Sequence, residues 1–187
     1  LGTCDLSLQS YLEHDLVHGV NVVTTYMMNP FTSEQGGGVR YVRNLTEECR
    51  SRGCDMLFLG AGGARRRVRG MLYVPIVRSS SPPYLYFLFW LFIKLPFIDL
   101  SKFDVVHVHR LYFAIPFLVL KPKLKVVCTL HGRTFAVFAA NYGNYTLRLI
   151  RPFFSSIERN VISRVHSLVP VSSDVLRSFN SKYPELM

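Results

Sequence analysis

Three histidines stand where apolar, β-rich runs give out. Asp104-Val-Val-His-Val-His109 leads into Arg110, and Lys125-Val-Val-Cys-Thr-Leu130 leads into His131-Gly132-Arg133. A neutral imidazole offers one donor and one acceptor and titrates near physiological pH, which suits it to work beside a reacting group. A lone histidine is more often a satisfied structural residue. The place of His131, at the end of its run and before a glycine, favours function. His107 and His109 alternate with valines and read as mainly structural, with His109, nearer the end, the one to line a cleft.

Gly36-Gly37-Gly38 follows the first apolar run and precedes a helical pattern. Glycines there let backbone amides approach an anion, and a helix N-terminus adds positive potential. The spacing is neither Gly-x-Gly-x-x-Gly nor a phosphate loop, because no Gly-Lys-Ser/Thr follows. An anion cradle and a plain turn therefore both fit. Arg65-Arg66-Arg67 and Arg69 form the densest basic run, read as a solvated loop that as a group adds to an anion-facing surface.

Other chemistries lack their residues. The cysteines Cys4, Cys49, Cys54 and Cys128 make no Cys-x-x-Cys pair, so neither a disulfide framework nor a zinc site is expected, and a reducing compartment is the default. The sequons Asn44-Leu-Thr46 and Asn144-Tyr-Thr146 then read as chance. No Asp-x-Asp pair exists to hold a divalent cation, so no metal is expected. No carboxylate sits at a convincing strand end as a nucleophile; Glu34, in the glycine loop, comes nearest and is not chosen.

The elements that must position these groups are legible. Residues 21–28, 56–59, 71–77, 104–109, 125–130 and 166–171 are short apolar runs. Between them, residues 39–52 place Val39, Val42, Leu45 and Cys49 on one helical face, with Gly53 as the stop. Residues 111–120 read as a short apolar helix containing Pro116. Residues 145–164 form a long amphipathic helix, and Ser172-Ser173-Asp174 caps a last one. Strands that are continuous apolar runs, alternating with helices, predict an α/β fold: a doubly wound parallel sheet of six strands in the order 3-2-1-4-5-6. Ligands of such sheets bind at the carboxyl ends of the strands, where the unusual residues lie.

Residues 1–20 show no basic stretch followed by an apolar run and read as an extension; residues 21–187 form the domain. The 187 residues carry a net charge of +10, with sixteen arginines and six lysines, which favours an anionic partner. Tyr84-Leu-Tyr-Phe-Leu-Phe-Trp-Leu-Phe-Ile93 is apolar throughout yet shorter than the roughly twenty residues that cross a bilayer. It has almost no polar outer face, so contact with a membrane surface or a partner is favoured over simple burial.

Gly37-Gly38-Val39, then Leu45, Cys49 and Arg52-Gly53, resembles the opening of the retaining glycosyltransferases of family four. Cys49 and Cys54-Asp55 depart mildly from that pattern. Residues 104–109 look like the family's fourth strand, Thr129-Leu-His-Gly132 like its fifth, and Val169-Pro-Val-Ser-Ser173 like the element before the last helix of its N-terminal half. The resemblance covers residues 21–180. It implies the Rossmann-like N-terminal, acceptor-side half of a GT-B enzyme, which moves a sugar from a nucleoside-diphosphate sugar to an acceptor hydroxyl with retention. No metal or other cofactor is implied.

On that reading His131 is catalytic, beside the reacting sugar. Gly36, Gly37 and Gly38 bind the donor phosphate or sugar. His109, Arg110, Arg133 and Ser172 are assigned to the acceptor. The family continues into a nucleotide-binding domain with a Glu-x7-Glu motif, which these residues do not contain, so that domain is expected from the same or a separate chain, and the half alone is expected to be inactive. The leading expectation is a cytoplasmic enzyme, peripheral on an anionic membrane and acting on a glycan or lipid-linked acceptor. A soluble relative with the aromatic helix buried is one rival. A non-catalytic basic module for nucleic acid or a protein partner is another, disfavoured because the arginines are scattered rather than set on a reading helix.

Overall fold

The computed structural model describes residues 20–31, 37–68, 70–131 and 144–184. Strand β1 (Val22–Thr25) is buried along its whole length, as β-branched residues in the middle of a sheet should be. It pairs in parallel with β2 (Met56–Ala61) on one side and β5 (Val105–Val108) on the other, with Val23 opposite both Leu57 and Val106. β4 (Met71–Val77) extends the sheet beyond β2. β6 (Lys125–Leu130) and β7 (Ser167–Pro170) extend it beyond β5. The six parallel strands therefore run in the expected order, and strand order reverses beside β1.

A seventh strand corrects one expectation. Gly60 and Ala61 belong to β2, and Arg66–Val68 forms β3, antiparallel to β4 with a turn at Gly70. The arginine run shows no apolar alternation, so its sequence alone reads as a loop. An edge strand needs only backbone pairing on one side, and exposed cations on it discourage further strands from adding.

Helices cover both faces. α1 (Gly37–Ser51) turns Val39, Val42, Leu45 and Cys49 inward, and its buried residues meet Met56, Phe58 and Tyr73. Its end is set by Gly53 at φ +74°, a conformation open to glycine, while Cys54 N–H donates to the Cys49 carbonyl at 3.0 Å. The opposite face carries α2 (Tyr84–Lys94), α3 (Ala114–Leu120) and α4 (Asn144–Ile162), whose Phe87, Leu91, Phe117 and Val161 share one core with Val23, Leu57 and Val106. A 3-10 turn, Leu111–Phe113, precedes α3, and Pro116 falls in the first turn of α3, where its missing N–H costs nothing. α5 (Ser173–Lys182) is the last helix of the described residues, its first turn capped by the Ser172 hydroxyl, which accepts from Val175 N–H at 3.2 Å.

Candidate functional site

The strand registers bring the chemistry together. Thr24 lies opposite His107, and His107 opposite Val127, so the two-residue period puts Thr24, His107, His109 and Thr129 on one sheet face. That is the face covered by α1. The polar strip runs from the middle of the sheet to the carboxyl ends of β5 and β6.

Its inner end is closed. His107 Nε2 and Thr129 Oγ1 are 2.6 Å apart, and both residues are buried. The His107 and His109 rings lie 4.4 Å apart, centroid to centroid. His109 is 0% exposed, and its Nδ1 stands 3.3 Å from Nε2 of His131. His131 is half-buried, one residue past the carboxyl end of β6.

Burial holds all three imidazoles neutral. Desolvation pushes His107 down to about 3, with the neighbouring His131 adding to the shift. His109 falls well below its ordinary 6.5 for the same reason, reinforced by His107 and His131. His131 is lowered to about 4, first by burial and then by the Arg110 guanidinium. At neutral pH the mouth of the strip therefore presents an uncharged imidazole beside a fixed cation.

Two tyrosines frame it, and sequence reasoning did not single them out. Tyr26, just past β1, meets the His109 ring edge-on at 5.5 Å. Tyr41, in the second turn of α1, meets His109 at 5.8 Å and His131 at 5.6 Å. Gly38 explains how α1 comes so near: a Cβ there would lie 2.6 Å from the Tyr26 hydroxyl. The available signal was position, since Tyr26 follows a strand's carboxyl end and Tyr41 follows the glycine loop.

Among the other expected site residues, Gly37 opens α1 and is exposed, while Gly38 is half-buried. Arg110 is half-buried in an extended backbone and lies over the Tyr84 ring at 5.9 Å. Tyr84 in turn stacks on Phe113 at 4.9 Å. His109 is enclosed, so it meets His131 rather than opening on the cleft as expected. Ser172 serves as the α5 cap. Gly36, Glu34, Gly132 and Arg133 lie outside the described residues, as does Arg69. Among the described residues no three His, Cys, Asp or Glu side chains are placed to hold a metal ion.

A parallel sheet ordered in this way, with glycine, histidine and arginine at the carboxyl ends of its strands, is a Rossmann-like domain with its candidate site at the strand-order reversal. Residues 35–185 match the sequence profile of Glycosyltransferase Family 4, and the chain belongs to that family. Among solved structures, the sucrose-phosphate synthase from Thermosynechococcus elongatus shares the fold, with a TM-score of 0.65 at 10% identity. The match covers 88% of this chain and 45% of that one, so the chain spans about half the length of that structure. A search of curated proteins finds no match.

Proposed function

We propose that residues 21–187 form the acceptor-side domain of a retaining glycosyltransferase, with residues 1–20 as an extension. The domain works with a nucleotide-binding domain that carries the Glu-x7-Glu motif, and it transfers a sugar from a nucleoside-diphosphate sugar to an acceptor hydroxyl. The acceptor is lipid-linked and met at the cytoplasmic face of a membrane. The observation carrying this reading is the convergence of His131, Arg110 and the glycine-bearing start of α1 at one end of the sheet, beside the strand-order reversal.

In this reading the amides of Gly36, Gly37 and Gly38, with the N-terminal dipole of α1, receive the donor's diphosphate. Charge builds on that diphosphate as the sugar leaves, and preorganised amides and arginines stabilise it with no divalent ion. His131, neutral and steadied by His109, hydrogen-bonds the transferring sugar. Arg110, Arg133 and Ser172 flank the acceptor. None of these groups is an enzymic nucleophile, so retention is assigned to the family's chemistry on one face of the sugar.

The test is His131→Ala in the complete two-domain enzyme. Turnover should fall at least tenfold, equivalent to about 1.4 kcal/mol of barrier, with the circular dichroism unchanged. Unaltered turnover would reduce His131 to a structural residue and remove the reading.

A further inference from the structure

We infer that α2 and the arginine-bearing edge of the sheet form a single docking surface for an anionic lipid bilayer. The inference rests on the membrane-side acceptor proposed above and names the surface that meets the membrane.

The structure splits the aromatic run into two faces. Phe87, Leu91 and Leu95, four residues apart, are fully buried against the sheet. Leu85, Phe89, Ile93 and Phe97, also four apart but offset by two, are exposed, Phe89 at 58% and Phe97 at 87%. Two residues are about 200° of helix, so the second row lies opposite the first. A helix laid on a sheet normally turns polar groups outward. This one presents a continuous apolar stripe, extended by Tyr86, whose ring meets Trp90. At eleven residues, about 16 Å, α2 lies along a membrane rather than through it. Among the described residues no helix is long and apolar enough to cross.

The charge around the stripe names the occupant. From residue 56 to residue 98 the sequence holds Arg65, Arg66, Arg67, Arg69, Arg78 and Lys94 and no acidic residue. Arg65, Arg66, Arg67 and Arg78 are exposed. The extra strand β3 carries Arg66 and Arg67 on the edge next to β4, the strand whose Ile76 and Val77 share a core with Phe87 and Leu91. Arg67 stands opposite Leu72, which packs into that same core, so it lies on the α2 side of the sheet, whereas Arg66, opposite Tyr73, lies on the α1 side. Lys94 holds its ammonium 5.7 Å from the centroid of the Trp90 ring, a cation–π contact one turn apart on the helix. The acids that bound this stretch lie at its ends: Asp55 pairs with Lys102, while Asp99 accepts from Ser101 N–H and Asp104 from Asn21 N–H. An apolar stripe flanked by unopposed cations matches acyl chains beneath anionic headgroups. The same helix starts at Tyr84, under Arg110, so the membrane side and the acceptor side of the cleft share one element.

Trp90 is the single tryptophan, which makes it a native reporter. The chain is mixed with vesicles of phosphatidylcholine alone, or of phosphatidylcholine with phosphatidylglycerol, and no sugar donor is present. Binding and turnover thus fail separately. On the anionic vesicles Trp90 emission should shift to the blue, brominated lipid should quench it, and salt should reverse both. Phe89→Ser, Ile93→Ser and Phe97→Ser together should weaken binding at least tenfold with the circular dichroism intact, because none of the three is in the core. Arg65→Gln and Arg67→Gln should cost about fivefold each and weaken the salt dependence. These arginines are exposed, so that variant keeps the test open should the first unfold. No emission change, equal partitioning onto both vesicle types, or undiminished binding by either variant would overturn the proposal. So would a lipid-free dimer that the stripe substitutions dissociate, since a second copy would then be the occupant.

Discussion

His109 Nδ1 and His131 Nε2 lie 3.3 Å apart, although the two residues are twenty-two positions apart, just past the ends of different strands. Both rings are held neutral by burial, so one nitrogen must donate and the other accept. His109 Nε2 is buried and has no hydrogen-bond partner among the described residues. An orphaned buried N–H is rarer than an orphaned acceptor, so the His109 proton is expected on Nδ1. His131 then carries its own proton on Nδ1 and offers the cleft a donor.

Nitrogen-resolved NMR of the histidine rings checks this directly. His131 should appear as the Nδ1–H form in the parent chain. Asn at position 109 can place an amide donor near the lost Nδ1, so His109→Asn should preserve that form. His109→Leu should give a mixture of tautomers and a changed His131 titration. An Nε2–H form in the parent would reverse the assignment, and an unmoved His131 in the Leu variant would make His109 packing alone.

Acid should destabilise the domain through the same strip. The folded His107 pKa is about 3 against an ordinary 6.5. Above pH 6.5 the residue is neutral folded and unfolded, and contributes no slope. Below it the unfolded chain takes up a proton the folded chain refuses, so stability falls as pH falls from 6.5 towards 3. At pH 5 the loss from His107 is about 2 kcal/mol, and His109 adds in the same direction. Urea unfolding across that range should show the slope, and His107→Gln should flatten it.

Glu158 ties the end of α5 to the 3-10 turn before α3. Its carboxylate is buried in α4 and accepts from the hydroxyls of Tyr112, at 3.1 Å, and Tyr183, and from the Lys182 ammonium. Removing a buried charge strands its partners, so Glu158→Ala should cost about 3 kcal/mol. Lys182 is partly exposed, and the loss should fall mainly on the two tyrosines. Amide exchange in α5 should rise first; unchanged protection there would show that α5 is held by apolar packing alone.

Gly38→Ala should disturb the site more than the fold. The added methyl meets the Tyr26 hydroxyl, and Tyr26 leans on the His109 ring, so the push passes along to His131. The His131 ring resonances should move while urea stability drops by roughly 1–3 kcal/mol. Unperturbed His131 signals would show that Tyr26 swings clear.

The sequence by itself determined the elements whose residues declare their surroundings. Continuous apolar runs marked β1, β5 and β6 as buried strands. Val39, Val42, Leu45 and Cys49 marked the inner face of α1, and Gly53 its end. From these the sheet order and the family followed. Three things waited for the tertiary structure. β3 pairs through its backbone, and the exposed edge lets arginines stand where no apolar period could reveal a strand. α2 is apolar on every side, so its periodicity is blank, and only packing against β4 separates buried Phe87 from exposed Phe89. The contacts of His109 with His131 and of Glu158 with Tyr112 join residues far apart in the chain. Their distances depend on strand register and helix placement, which are properties of the whole packed sheet and of no local stretch of residues.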